Sequence, residues 1–271
     1  MDIKNKVALI TGAAGGIGQA IAFELSNRGV KAIALVDVSG NTEELAVRIN
    51  RSAGRAIASA YIGDTTDAEF RRHVYDKVES AHGMVGICIP AAGITRDSLA
   101  VKLDKETGKS VIYPVEQFRL VVDVNLIAPV YWAIEMVARI AEDRKKRGVG
   151  RWEPQEPIQG TIIFIGSVSS LGNRGQIAYA ATKRGLEAAA RTLTIESMFH
   201  GVRCAVIHPG FTDTSMVQAL GEEYIKKNIL PATQLKRLIK PQEIANAICF
   251  MISNAAVSGE LWADAGWHPS L

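Results

Sequence analysis

The chain has few residues of several informative types, and each shortage excludes a class of protein. Only three cysteines occur among 271 residues, at Cys88, Cys204 and Cys249, each within an apolar run. Their spacing predicts neither a disulfide framework nor a metal site. We expect three small buried side chains in a reducing compartment, with no catalytic cysteine.

Charge of one sign and long apolar runs are also scarce. The formal net charge is +3, and one dense basic cluster at residues 144–147 is interpreted as a solvated helix end, with an acidic or phosphate partner as the alternative. Neither a run of about 18 apolar residues nor a secretory signal is found. We therefore predict a cytoplasmic protein with no nucleic-acid partner and no membrane partner.

Hydrophobic residues make up 48% of the chain, and their pattern alternates between short runs and segments of helical period. The short runs predict strands at residues 7–10, 32–36, 56–62, 85–89, 161–165, 202–207 and 259–263. The longest helices are predicted at residues 118–142, with a bend at Pro129, and at residues 177–199. Repeated strand–helix–strand units predict an α/β protein with a doubly wound parallel sheet, the Rossmann fold, as a single domain over residues 1–271.

A glycine-rich turn follows the first predicted strand and opens a helix. Its sequence at residues 11–18 is Thr-Gly-Ala-Ala-Gly-Gly-Ile-Gly. Glycine lets the backbone turn sharply and approach a pyrophosphate, and free amides at a helix start face the anion. The turn therefore predicts dinucleotide binding, with a purely structural tight turn as the alternative. The predicted contacts are Gly12, Gly15, Gly16, Ile17 and Gly18.

Two carboxylates follow the next strands and extend this prediction. Asp37 ends the second strand, where a carboxylate accepts hydrogen bonds from both hydroxyls of an adenosine ribose. It would repel a 2′-phosphate, and the glycine turn contains no Arg or Lys, so NAD is favoured over NADP. A simple turn aspartate is the alternative. Asp64 and Thr65, after the third strand, are predicted to reach the adenine, with a helix N-cap as the alternative for Asp64.

Tyr179 and Lys183 lie four residues apart in a predicted helix and so share one face. A free tyrosine has a pKa of about 10, too high for a base near neutrality. The lysine charge, together with the positive oxidised nicotinamide, is expected to lower it. Tyr179 then takes the proton of a substrate hydroxyl as hydride leaves the same carbon. Such pairs are common on helices, so this prediction depends on the dinucleotide motif.

These motifs together resemble the short-chain dehydrogenase/reductase family over nearly the whole chain. The matching pieces, in order, are the glycine turn, Asp64, Ala92–Gly93, Asn125, Ser167, Tyr179 with Lys183, and Pro209–Gly210 with Thr212 and Thr214. Residues 93–97 and 166–168, with Gly172, Asn173, Gly175 and Gln176, further resemble the 3-oxoacyl-thioester (acyl carrier protein) reductase branch.

The resemblance implies specific roles. Ser167 would hold the substrate oxygen, Lys183 would also hydrogen-bond the nicotinamide ribose, and Asn125 would anchor a proton-relaying water. The expected cofactor contacts of the family add Gly93, Tyr179, Lys183, Pro209, Gly210, Thr212 and Thr214. The family also implies a homotetramer or homodimer, formed through the two long helices.

Three departures mark where this chain differs from the family pattern. Ser167 precedes Tyr179 by 12 residues, one fewer than usual, so Ser169 competes for the serine role. Pro90-Ala91-Ala92-Gly93 replaces the usual Asn-Asn-Ala-Gly. Two segments are extended: residues 104–115, expected at the substrate entrance, and residues 147–160, expected to be structural or interfacial.

The functional expectation is an NAD(H)-dependent oxidoreductase that interconverts a secondary alcohol and a ketone, with a 3-hydroxyacyl thioester as the leading substrate. Residues 211–238 are expected to form a substrate lid. An inactive cofactor-binding partner subunit and a sugar-nucleotide epimerase or dehydratase are the alternatives. Trp262 and Trp267 are expected at a subunit interface, and His208 is interpreted as structural.

Overall fold

The five inner strands of the central sheet are buried along almost their whole length, which explains their mainly apolar sequences. A computed structural model describes residues 1–267 of the chain. Seven strands form one parallel sheet in the order β3-β2-β1-β4-β7-β8-β9. They are β1 (Val7–Thr11), β2 (Ala32–Asp37), β3 (Ala58–Ile62), β4 (Val85–Pro90), β7 (Gly160–Ile165), β8 (Val202–Pro209) and β9 (Gly259–Ala263). A separate antiparallel hairpin pairs β5 (Val101–Leu103) with β6 (Ser110–Ile112).

Helices cover both faces of this sheet. Those on one face are α1 (Gly16–Asn27), α2 (Asn41–Ala53) and α9 (Pro241–Ser253); those on the other are α3 (Ala68–His82), α5 (Ala128–Lys146) and α6 (Ile177–Ser197). The first layer buries Leu25 and Ile248, and the second buries Trp132 and Met136. Burying each such side chain contributes about 1.5–3 kcal/mol. The predicted doubly wound α/β fold is confirmed.

The strand order reverses between β1 and β4, and this position fixes the binding crevice. From β1 the chain winds outward to β3, then returns to β4 and winds the other way to β9. The loops after β1 and β4 therefore diverge and leave a crevice at the carboxyl edge of the sheet. The loops after β2, β7 and β8 border the same edge.

The predicted helix at residues 118–142 has a more complex form. It begins as α4 (Val115–Val122), widens into a π segment (Asp123–Ile127) and continues as α5. Its irregularity is thus the π segment, and Pro129 lies directly after that segment, at the start of α5. By length and composition alone this helix is able to span a membrane, a test that buried core helices also pass.

Candidate active site

The glycine turn lies at the crevice between β1 and α1. Gly12 has φ +65°, and a Cβ there would lie 2.6 Å from the Ala92 nitrogen, so a side chain is excluded. The first helical hydrogen bond runs from the Gln19 N–H to the Gly15 oxygen. The amides of Gly16, Ile17 and Gly18 precede it, and among the described residues α1 has neither a side-chain N-cap nor an acidic residue in its first turn. These amides fit an anionic pyrophosphate.

Asp37 is fixed directly beside this turn. Its Oδ2 accepts the Ala14 N–H at 2.9 Å, and its Oδ1 accepts the Ser39 N–H at 3.0 Å. Each oxygen keeps a further lone pair for a ligand. The carboxylate therefore lies at the end of β2, where an adenosine ribose binds in folds of this type.

Asp64 and Thr65 border the crevice after β3. Asp64 Oδ1 accepts the N–H and the hydroxyl of Thr66, both at 2.8 Å, which makes a local Asx turn. The N-cap of α3 is Asp67, so Asp64 does not fill that structural role. Thr65 is buried, and its carbonyl oxygen accepts the Trp132 indole N–H at 2.9 Å.

Gly93, Asn125 and Lys183 meet although they come from three separate segments. Asn125, in the π segment, is fully buried; its amide accepts the Ile94 N–H and donates to the Ile94 oxygen, both at 2.8 Å. A Cβ at Gly93 would lie 3.4 Å from Asn125 Oδ1 and 3.7 Å from Lys183 Nζ. The Asn125 side chain thus holds the segment that follows β4 beside Lys183.

The Ser167, Tyr179 and Lys183 side chains also converge. Ser167 follows β7, and its side chain lies beside the Tyr179 phenol at the edge of one pocket. Lys183 Nζ donates to the Ile165 oxygen at 2.8 Å and lies 5.4 Å from the centroid of the Tyr179 ring. The alternative Ser169 hydroxyl accepts from Asn173 Nδ2 at 3.5 Å. The geometry therefore gives Ser167 the contact with the tyrosine.

Burial shifts the protonation of both titratable groups. It raises the pKa of Tyr179, an effect that the neighbouring Ser167 hydroxyl opposes and the Asp97 charge reinforces. Burial also lowers the pKa of Lys183 to about 8. The expectation that the lysine charge lowers the tyrosine pKa is thus not met by the protein groups alone, which keep the phenol protonated at neutral pH.

A pocket of about 150 Å³ opens over these hydroxyls. Ser167 and Tyr179 line its base, while Met216, Val217 and Leu220 line it from the segment after β8. That segment contains α7 (Ser215–Gln218), α8 (Glu222–Tyr224) and a π turn at Ile225–Ile229. Apolar side chains thus cover a polar floor.

The segment after β8 also reaches the cofactor side. A Cβ at Gly16 would lie 2.8 Å from the Thr214 methyl carbon, and a Cβ at Gly210 would lie 2.7 Å from the Asp264 oxygen. Thr212 is buried, with its hydroxyl donating to the Gly210 oxygen at 3.0 Å, and Pro209 lines the pocket. As a group, these residues border both the glycine turn and the pocket.

The two extended segments lie at opposite edges of the sheet. The first is a hairpin that starts at Val101, before the predicted boundary at 104, and the Ser98 N–H ties its base to the Gly175 oxygen at 2.8 Å. The second connects α5 to the amino end of β7, and Arg144 anchors it by a double hydrogen bond to Glu156 at 2.7 and 3.0 Å. Arg144 is 1% exposed, so the interpretation of residues 144–147 as wholly solvated was wrong at this position.

Both C-terminal tryptophans make ring contacts within the chain, and their place at a subunit interface stays a prediction. Trp267 is buried with its ring 4.7 Å from the Phe211 ring, edge to face. Trp262 stacks on His208 at 4.1 Å between ring centroids. Sequence reasoning also missed that His208 meets Glu187 and Glu260, because long-range folding alone brings the three together.

The fold and the glycine turn at its crevice are those of a dinucleotide-dependent oxidoreductase. A family model described as Enoyl-(Acyl carrier protein) reductase matches residues 12–268. The chain belongs to the short-chain dehydrogenase/reductase family and acts on CH–OH groups.

Individual relatives share this family over their whole length. The 3-oxoacyl-acyl-carrier-protein reductase FabG of Escherichia coli (strain K12) is 34% identical over 263 residues, which cover 96% of each chain. FabG of Thermotoga maritima is 30% identical over 264 residues with the same coverage. The crystal structure of gox2181 superimposes with a TM-score of 0.79 at 26% identity, covering 97% of this chain and 96% of the other.

Proposed function

We propose that this enzyme is an NAD(H)-dependent reductase of 3-oxoacyl thioesters, running in reverse as a 3-hydroxyacyl-thioester dehydrogenase. The observation that carries the proposal is the convergence of Ser167 and Tyr179, with Lys183 beside the Tyr179 ring, at a pocket covered by apolar side chains. The Ser167 and Tyr179 hydroxyls are placed to hydrogen-bond one ketone oxygen. The apolar side chains above them suit an acyl chain. Both FabG relatives are 3-oxoacyl-acyl-carrier-protein reductases, which supports the same substrate class.

The residues at the crevice fit a nicotinamide dinucleotide. The glycine-turn amides would hold the pyrophosphate, Asp37 the adenosine ribose, and Asp64 with Thr65 the adenine end. Gly93, Lys183, Pro209, Gly210, Thr212 and Thr214 would surround the nicotinamide end. When bound, the cofactor supplies or accepts the hydride. The fixed Asp37 carboxylate favours NAD, because a 2′-phosphate would bring like charges together.

Tyr179 is the proposed acid and base. In reduction, the protonated phenol donates its proton to the developing alkoxide, while Ser167 holds that oxygen by a hydrogen bond. The Lys183 ammonium, on the same helical face, stabilises the phenolate that results. Asn125 holds the Gly93–Ile94 backbone beside Lys183, and a remaining lone pair of its Oδ1 is available to a water that returns the proton.

The assembly is proposed to be a cytoplasmic homo-oligomer, a dimer or tetramer. The helix that runs from Val115 to Lys146 exposes several apolar side chains, namely Leu120, Ile127, Tyr131 and Ile134. A partner copy would remove this apolar surface from water. Light scattering on purified protein tests this, and a monomer at micromolar concentration would contradict it.

The decisive experiment measures turnover with a 3-oxoacyl thioester and with the matching enoyl thioester, each with NADH and NADPH. We expect the 3-oxoacyl substrate with NADH to react fastest. Faster turnover of the enoyl thioester would replace the proposed substrate class. In Asp37→Asn, loss of a charged hydrogen-bond acceptor should lower the NADH-over-NADPH preference by about 10- to 100-fold; an unchanged preference would remove the role of Asp37.

A further inference from the structure

A second polar cluster lies behind the Ser167 turn. It joins Glu187 of α6, His208 of β8 and Glu260 of β9, none of which lines the pocket described above. His208 is fully buried, and the Glu187 and Glu260 side chains are 3% and 19% exposed. His208 Nε2 lies 3.4 Å from Glu260 Oε2 and 3.8 Å from Glu187 Oε1. All three inner atoms lie within 4.8 Å of one another.

The inner atoms of this cluster are poorly satisfied by the protein. Within residues 1–267, neither Glu187 Oε1 nor His208 Nε2 makes a well-formed hydrogen bond. A buried unpaired polar atom costs about 1–3 kcal/mol. Two carboxylate oxygens face His208 Nε2. A proton on that nitrogen would form a hydrogen bond with only one of them at a time and leave the other unpaired. A cation at the centre would satisfy all three atoms together.

The outer atom of each residue has its own partner. Arg184 Nη1 contacts Glu187 Oε2 at 2.5 Å, and Arg191 Nη2 contacts Glu260 Oε1 at 2.6 Å. His208 Nδ1 lies 3.2 Å from the Ser167 oxygen and 3.3 Å from its nitrogen. As a donor to that carbonyl, Nδ1–H leaves the Nε2 lone pair directed inward. Metal-binding histidines and carboxylates are held by outer partners in this way.

A cavity beside the cluster provides access. Its volume is about 200 Å³, and its lining includes Glu187, Glu260, Arg191 and Thr194. The cavity leaves room for water beside the two glutamates. Three protein ligands with open positions are typical of exchangeable metal sites, whereas closed structural sites use four.

We propose that Glu187, His208 and Glu260 bind one divalent transition-metal ion, with water completing its coordination. One imidazole nitrogen and two carboxylate oxygens suit Zn²⁺ or Mn²⁺. Inner atoms 3.4 and 3.8 Å apart fit around an ion with bonds of about 2.0–2.2 Å. Because His208 also contacts the Ser167 backbone, a bound ion would stabilise that turn. The site is independent of the proposed reaction.

The binding test uses untagged full-length protein that has been dialysed against a chelator and titrated with Zn²⁺ by calorimetry. We expect one equivalent to bind. Arg191→Gln removes the charged partner of Glu260 and should weaken binding by about 10- to 100-fold. Glu187→Gln and Glu260→Gln replace ligands and should weaken it by more. Glu196→Gln, an exposed carboxylate on the same helix, is the matched control and should bind like the wild type.

X-ray absorption on the zinc-loaded wild type gives a readout that requires no variant to fold. The expected shell contains oxygen and nitrogen with one imidazole. Cys204 lines the same cavity, so a sulfur ligand would overturn the proposal. Absence of stoichiometric binding, or binding that survives both Glu187→Gln and Glu260→Gln, would overturn it as well.

Discussion

The two sides of the crevice are built by different means. On the cofactor side, backbone amides of one turn and the carboxylate of Asp37 lie within a few residues of a strand end. On the substrate side, Ser167, Tyr179 and Met216 come from separate elements and meet only in the folded chain. The cofactor side is therefore set by local backbone geometry, and the substrate side by long-range packing.

The two sides also differ in how they use charge. The glycine turn presents amide dipoles to an anion and contains no titratable side chain. The substrate side buries a phenol and an ammonium group, and burial shifts the pKa of both. Proton transfer thus belongs to the substrate side.

The largest expected effect is a loss of turnover from the substrate side that leaves cofactor binding on the other side unchanged. In Tyr179→Phe the proton donor is lost, so the reduction rate should fall by about 10²- to 10⁴-fold. NADH affinity, measured by fluorescence titration, should change little because the glycine turn is untouched. Tyr131→Phe, at an exposed position on α5, is the matched control. Retained turnover in Tyr179→Phe would refute the proton-transfer role.

A smaller effect is expected from the backbone of the cofactor side. Gly12→Ala places a Cβ 2.6 Å from the Ala92 nitrogen at φ +65°. The left-handed conformation alone costs about 1–2 kcal/mol, and the overlap adds to it. We expect a lower unfolding free energy in denaturant titration and weaker NADH binding. Gly40→Ala is the control, since its Cβ would meet nothing within 4 Å at a helical φ of −60°; an equal loss in both variants would contradict the explanation.

The smallest expected effect is a change of reduction rate with pH, which tests the role of charge on the substrate side. The pKa of Lys183 is about 8, so its ammonium form disappears as the pH rises through that value, while the raised pKa of Tyr179 keeps the phenol protonated. With saturating cofactor, kcat/KM for reduction should therefore decline above about pH 8. A profile that stays flat to pH 10 would contradict the assignment.

The same lysine predicts a trend in stability. Its folded pKa of about 8 lies below the ordinary lysine value of 10.5, so the unfolded chain binds more protons between these two values. The contribution of Lys183 to the free energy of unfolding should therefore rise with pH across that window. Comparison of wild type with Lys183→Met by denaturant titration at both ends isolates this contribution.

Much of the fold was predictable because the central strands are apolar along their whole length. The predicted run 202–207 lies within β8 (Val202–Pro209), and the run 259–263 coincides with β9. The exposed hairpin strands β5 and β6 escaped prediction, since three-residue strands outside the core carry no such signal. The π segment escaped it too, because its side chains follow no separate pattern.

The candidate site was predictable where its residues follow strands or share a helix turn. Asp37 and the Tyr179–Lys183 pair are of this kind, and their neighbours lie where the pattern places them. The position of Ser167 beside Tyr179 depends on how the shortened loop folds, and spacing alone left the serine role open between Ser167 and Ser169. The contacts of His208 depend on three distant elements and had no sequence signal.

The π segment sets the rotational phase of the long helix. An i→i+5 turn holds one residue more than an α turn, and each residue of an α-helix corresponds to about 100° of rotation. This extra residue lets Asn125 turn its amide toward Ile94 while Trp132 and Met136, further along, still face the sheet. An unbroken α-helix would keep one of these directions and lose the other. The π segment thus places Asn125 at the crevice and keeps Trp132 and Met136 in the core of the same helix.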